Sequence, residues 1–136
     1  MPSKTDGSVL NHLAFAMYPT RDVHRAVEFY REALGAEARW WPDENTALLQ
    51  TPGAQRPDIM VEQDAFECTI GAGTVFLVTN VDEYYGTWKH AFTWVLPPCD
   101  VPPGRYAVYQ DHDGSPVRIF DLSNDTFPQR SLLGAR

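Results

Sequence analysis

The chain declares its architecture between residues 11 and 35. It reads Asn11-His-Leu-Ala-Phe-Ala-Met17, a connection through Pro19, then Asp22-Val-His-Arg-Ala-Val-Glu-Phe-Tyr-Arg-Glu-Ala-Leu-Gly35. The first part alternates, with Leu13, Phe15 and Met17 on one side and His12, Ala14 and Ala16 on the other, the period of a half-buried strand. In the second part Val23, Ala26, Val27, Tyr30 and Leu34 fall at i, i+3, i+4, i+7 and i+11. That spacing is the apolar stripe of an amphipathic helix, opened by a capping Asp22 and closed at Gly35. The stripe and the Leu13/Phe15/Met17 face are expected to cover one another, leaving His12, Ala14 and Ala16 facing elsewhere.

Outward from this stretch, short extended segments follow. Ala38–Trp41 stops at Pro42, Thr46–Gln50 stops at Pro52-Gly53, and Asp58–Glu62 alternates cleanly. Then the pattern returns. Thr74–Thr79 reads as a strand, and Asn80 with Glu83 suits the start of a helix carrying Val81, Tyr85, Trp88 and Phe92. Gly86 weakens that helix by about 1 kcal/mol relative to Ala. Thr93–Leu96 is a strand, followed by a connection through Pro97, Pro98, Pro102, Pro103 and Gly104. Arg105–Gln110 and Pro116–Leu122 are strands joined by a turn at Asp111-His112-Asp113-Gly114. The expected fold class is α+β: one domain over residues 1–136, built of two tandem βαβββ pseudo-repeats near 10–66 and 72–124 that form a curved sheet trough. Residues 1–9 are polar and read as a loose arm.

The His-Leu-Ala opening, the Asp at the helix start, the Phe-Tyr within it and the closing Leu-Gly resemble a module of the vicinal oxygen chelate superfamily. That family holds glyoxalase I, bleomycin-resistance proteins and extradiol dioxygenases. Pro102-Pro103-Gly104-Arg105 and the Asp111–Gly114 turn resemble its second-half marks. The chain is roughly three residues longer than the family between Met17 and Asp22. The resemblance implies a metal site where four strand positions converge, falling by count on His12, Met60, Gly73 and Arg118. A divalent ion of this type takes imidazole nitrogen and carboxylate oxygen at about 2.0–2.2 Å. A thioether, a glycine and a guanidinium supply neither.

Composition bounds the rest. The chain has 136 residues, 43% hydrophobic and 21% charged, enough for one real core. No run is long enough to span a bilayer, and the polar first ten residues do not resemble a signal peptide. Cys68 and Cys99 form neither a metal-spaced pair nor a disulfide framework, so a reducing cytoplasm is expected. Eighteen acidic against eleven basic residues give −7, a surface that repels nucleic acid and anionic membranes and mildly favours cationic molecules. No phosphate-binding glycine loop or nucleophile elbow is present. His24 and His90 read as solvated, His112 as a turn residue, and Tyr84, Tyr85 and Trp88 as helix packing.

Two functional readings follow. In the first, the protein binds a small organic molecule in the trough without metal or cofactor, in the manner of the family's resistance proteins, as a homodimer. His12, Trp40, Met60, Glu62 and Arg118 are its expected ligand-binding residues, and no catalytic residue is assigned. Trp40 and Trp41 face opposite ways, so one joins the core and the other is free for a ligand. Arg118 needs an anion, either Glu62 or Asp58 from a facing strand or an oxygen of the ligand. In the second reading the protein is a metal-dependent lyase, isomerase or dioxygenase that uses His12 as a metal ligand.

Overall fold

The computed structural model describes residues 11–127. Its elements run β1 (Asn11–Thr20), α1 (Val23–Leu34), β2 (Glu37–Asp43), β3 (Thr46–Gln50), β4 (Ile59–Gln63), α2 (Ala65–Ile70), β5 (Gly73–Val78), α3 (Val81–Trp88), β6 (Thr93–Val101), β7 (Gly104–Gln110) and β8 (Pro116–Phe120). The strands form one open, curved sheet of eight in the order β2-β3-β4-β1-β5-β8-β7-β6. Each half therefore repeats strand, helix and three strands, with the short α2 between them. Within each half the first strand pairs in parallel with the last, and β1 joins β5 antiparallel at the centre.

Local chemistry accounts for the elements. Asp22 accepts from the Arg25 N–H at 3.1 Å, and Gly35, at φ 70°, supplies the left-handed cap that ends α1. Asn80 accepts from the Glu83 N–H at 2.9 Å and starts α3. That helix stops at Trp88 rather than reaching Phe92, and Phe92 instead stacks on Trp88 and Tyr109. The strand β6 runs straight through Pro97 and Pro98, where a connection was expected. It is the last strand of the sheet, so prolines without N–H cost no ladder bonds on its open side. Pro42 sits within β2, the other edge, for the same reason.

The expected facing of β1 is corrected. The register slips between Leu13 and Phe15, so Ala14 is an extra residue and strict alternation breaks there. Phe15 and Met17 join Leu48, Val75, Leu77 and Phe120 on the concave side, away from α1. The helix packs instead on Ala47, Leu49, Ile59 and Val61 with Tyr18, through Val23, Ala26, Val27 and Tyr30. Leu13 and Leu34, both assigned to that seam from the sequence, are about half exposed. The helix seam thus relies on β3 and β4, where burying each large aliphatic contributes about 1.5–3 kcal/mol before chain entropy is set against it.

At the other end, α3 packs over Val78, Ala107 and Ile119. Asp121, just past β8, organises the junction. Its carboxylate accepts from the N–H of Val81 (2.8 Å), Arg105 (2.9 Å) and Ser123 (3.1 Å), and from the Ser123 hydroxyl (2.7 Å). Gly104 lies under it: a Cβ there would come within 2.3 Å of an Asp121 oxygen. No helix among the described residues is long and apolar enough to cross a membrane.

Candidate functional site

The concave face encloses a cavity of about 340 Å³. Its walls come from both halves: Phe15, Met17, Trp40, Leu48 and Met60 on one side, and Val75, Leu96, Tyr106 and Phe120 on the other. Register explains the convergence. Met17 pairs with both Met60 and Gly73, Met60 with Leu48, and Val75 with Arg118, and paired residues share a face. Phe127 folds back so that its ring meets Trp40 with centroids 5.5 Å apart, closing one end.

Of the residues expected at the site, Trp40, Met60, Glu62 and Arg118 all line this cavity. His12 does not. It pairs with Leu77 and so faces the same side, but lies beyond the Ala14 bulge, outside the lining. The first-strand position between Met60 and Gly73 belongs to Met17, five residues further along. The converging set is therefore Met17, Met60, Gly73 and Arg118: two thioethers, no side chain, and a cation. These residues do not fit a divalent ion of the kind the family resemblance implies. Among the described residues, no three His, Cys, Asp or Glu side chains are grouped to hold a metal.

Arg118 is fully buried, and its partner is neither Glu62 nor Asp58. Asp58 serves the Thr51 N–H and hydroxyl. Arg118 instead donates to Glu67 of α2, from Nε at 3.0 Å and from Nη2 at 2.8 Å, both to Oε1. Nη2 also donates to the Gly71 carbonyl at 2.7 Å, and Nε to the Tyr106 hydroxyl at 3.2 Å. Tyr106 in turn donates to Glu67 Oε2 at 2.7 Å. Burial, then the Glu67 charge, pushes the Tyr106 phenol well above its ordinary range, so it remains a donor. The network ties α2 to β7 and β8 and so fixes one wall of the cavity. The sequence reading missed both α2 and Glu67. The signal was Asp64 three residues before Glu67, the capping pattern also seen at Asn80/Glu83; Asp64 accepts from the Glu67 N–H at 2.9 Å. Among the described residues, Arg118 Nη1 is the buried side-chain polar atom left without a partner. It lies against Gly73, where an added Cβ would stand 3.3 Å from it.

Glu62 contrasts with Glu67. It projects from β4 into the same cavity, and burial, reinforced by Glu67, Asp64 and Asp43 and opposed by Arg118, raises its carboxyl from 4.5 to about 7. Because folding raises this value, the protonated form is favoured in the fold. The stability associated with it is complete below 4.5 and is lost as pH rises through about 7. The ionised carboxylate is thus held in the cavity at a cost to stability.

An open two-module sheet with a half-open, mostly apolar cavity on its concave side defines a class of small-molecule site. The sequence assigns the family directly: residues 9–119 match the model of the Glyoxalase/Bleomycin resistance protein/Dioxygenase superfamily, and the chain belongs to it. No curated protein sequence matches the chain. Solved structures share its fold. A protein from Legionella pneumophila described as an NAD-dependent benzaldehyde dehydrogenase is 19% identical, with a TM-score of 0.65 over 83% of this chain and 99% of its own. Methylmalonyl-CoA epimerase from Mycobacterium tuberculosis is 18% identical, at 0.56 over 81% and 87%. Homoprotocatechuate 2,3-dioxygenase from Brevibacterium fuscum is 17% identical, at 0.53 over 82%, and this chain spans 32% of that one. At these identities the likeness is one of fold.

Proposed function

We propose that this member of the superfamily is a metal-independent small-molecule binder that holds an organic ligand between its two modules, residues 10–66 and 72–124 acting as one domain. The observation that carries this reading is the substitution of the convergent positions by Met17, Met60, Gly73 and Arg118 around a cavity lined mostly by carbon. The alternative, an enzyme with a metal on His12, requires that histidine in the cavity, and it is not among the lining residues. Trp40, Met60 and Glu62 are the proposed contacts, with Met17 in the place first given to His12. Arg118 acts chiefly by holding the α2 wall. Protein purified without chelator should carry well under one equivalent of zinc, iron, nickel or manganese by elemental analysis, and chelator should leave its thermal midpoint unchanged. Stoichiometric metal would favour the enzyme.

The sheet leaves the edges β2 and β6 open, and we infer a homodimer that covers such surface. Light scattering at micromolar concentration should report twice the chain mass; a monomer would contradict this. The free Cys68 and Cys99 accord with a reducing cytoplasm, and the charge of −7 with partners that are neither nucleic acid nor membrane.

A further inference from the structure

Four carboxylates line the cavity, and three are already engaged. Glu67 is bonded through both oxygens to Arg118 and Tyr106, Asp64 caps α2, and Asp43 accepts from the Asn45 N–H at 2.8 Å. Glu62 alone makes no side-chain hydrogen bond to the described residues, although it is largely buried. Arg118, which also lines the cavity, has the opposite deficit: its Nη1 is buried without an acceptor, packed close to Gly73. An unused acceptor and an unused donor in one cavity suit an occupant with a charged donor at one end and an oxygen at the other.

We propose that the cavity takes a protonated amine on an aromatic or apolar body that also bears an oxygen acceptor, with the ammonium seated on Glu62 and the oxygen turned toward Arg118. This rests on the binding reading above and adds the chemical class. Charge supports the assignment. Arg118 and Glu67 cancel one another, so Asp43, Glu62 and Asp64 leave the lining net negative. An anionic ligand would enter against that field, whereas a cation offsets the desolvated Glu62 charge. The groups facing Glu62 are Asp43 from the end of β2, Asp64 and Glu67 from the α2 segment, and Arg118 from β8; its β3 neighbour, Thr46, is neutral. Burial first, and then three acids against one paired base, raise the Glu62 carboxyl to about 7, so an arriving ammonium displaces a proton from part of the population at neutral pH.

Calorimetry with a matched probe set tests this. Tyramine carries an ammonium and a phenolic oxygen, tyrosol replaces the ammonium by hydroxyl, 4-hydroxyphenylacetate replaces it by an anion, and 2-phenylethylamine lacks the oxygen. At about pH 8 tyramine should bind roughly tenfold or more tighter than tyrosol, and 4-hydroxyphenylacetate most weakly. Loss of the oxygen should weaken binding several-fold. The tyramine advantage should shrink at about pH 6, where Glu62 is protonated while the amine is not titrated. Glu62→Gln should abolish the advantage of tyramine over tyrosol. The wild-type pH comparison stands even if that variant folds poorly. Equal binding of tyramine and tyrosol, or a preference for the anion, would overturn the amine assignment and leave the binding reading intact. Equal binding of tyramine and 2-phenylethylamine would remove the oxygen from it. Failure of every probe to bind would count against both.

Discussion

Arg118→Met should cost about 3–5 kcal/mol of unfolding free energy. The methionine fills much of the same volume, so packing is not the main loss. What remains is the Glu67 carboxylate, with 9% of its side chain exposed and its cation removed, and a Tyr106 phenol that still donates to it. The Gly71 carbonyl also loses its donor. A buried charge without its partner is among the most expensive defects a core can carry, whereas the intact pair contributes little beyond offsetting its own desolvation. Replacing both members, Arg118→Met with Glu67→Met, should therefore recover at least half of the loss, since two apolar groups then occupy the site. Urea unfolding followed through tryptophan emission gives both numbers. A single variant that loses less than about 1 kcal/mol would mean that water reaches Glu67 and that the α2 wall is not held as described.

The second large effect belongs to Asp121. Its carboxylate is 1% exposed, and no ion pair to it is present among the described residues; Arg105 pairs instead with Asp82 and Asp100. Its charge is held by three backbone N–H groups and a hydroxyl, one of them at the first residue of α3, where the helix dipole also favours an anion. Asp121→Ala leaves those donors without an acceptor and should cost about 3–5 kcal/mol. The signature is local as well as global. Amide exchange at Val81 and Arg105 should accelerate first, because the carboxylate joins the start of α3 to the start of β7. Protection at those two amides unchanged from wild type would show that other acceptors replace it.

The element order was legible because it rests on short-range signals: Asp22 and Gly35 around α1, Asn80 before α3, and glycine and proline between strands. What escaped was decided by tertiary context. Alternation in β1 fixes two faces but not which of them meets the helix, and the Ala14 bulge shifts parity part-way along. His12 was assigned to the convergent position by the family resemblance, and neither the bulge nor the placement of Met17 could be read from alternation. Pro97 and Pro98 read as a connection because the edge location that makes them harmless is a property of the whole sheet. At the cavity, Met60 and Arg118 followed from the family pattern, Glu62 from its shared strand face with Met60, and parity left open which of Trp40 and Trp41 lines it. Glu67 was not, since six residues of α2 carry no period and its link to Arg118 spans 51 positions.

The central place of β1 has a consequence for how the chain is made. It is synthesised before all the strands that flank it, yet its neighbours are β4 and β5, which end at Gln63 and Val78. At ordinary elongation speeds roughly 3 to 12 s separate the appearance of Thr20 from that of Val78. Throughout that interval Phe15 and Met17 lack part of the surface they will finally cover; both edges of the strand are unmatched until Gln63 appears, and one until Val78. Newly made chains are therefore most exposed to association with one another at their earliest strand, and chaperone capture or premature aggregation should concentrate there.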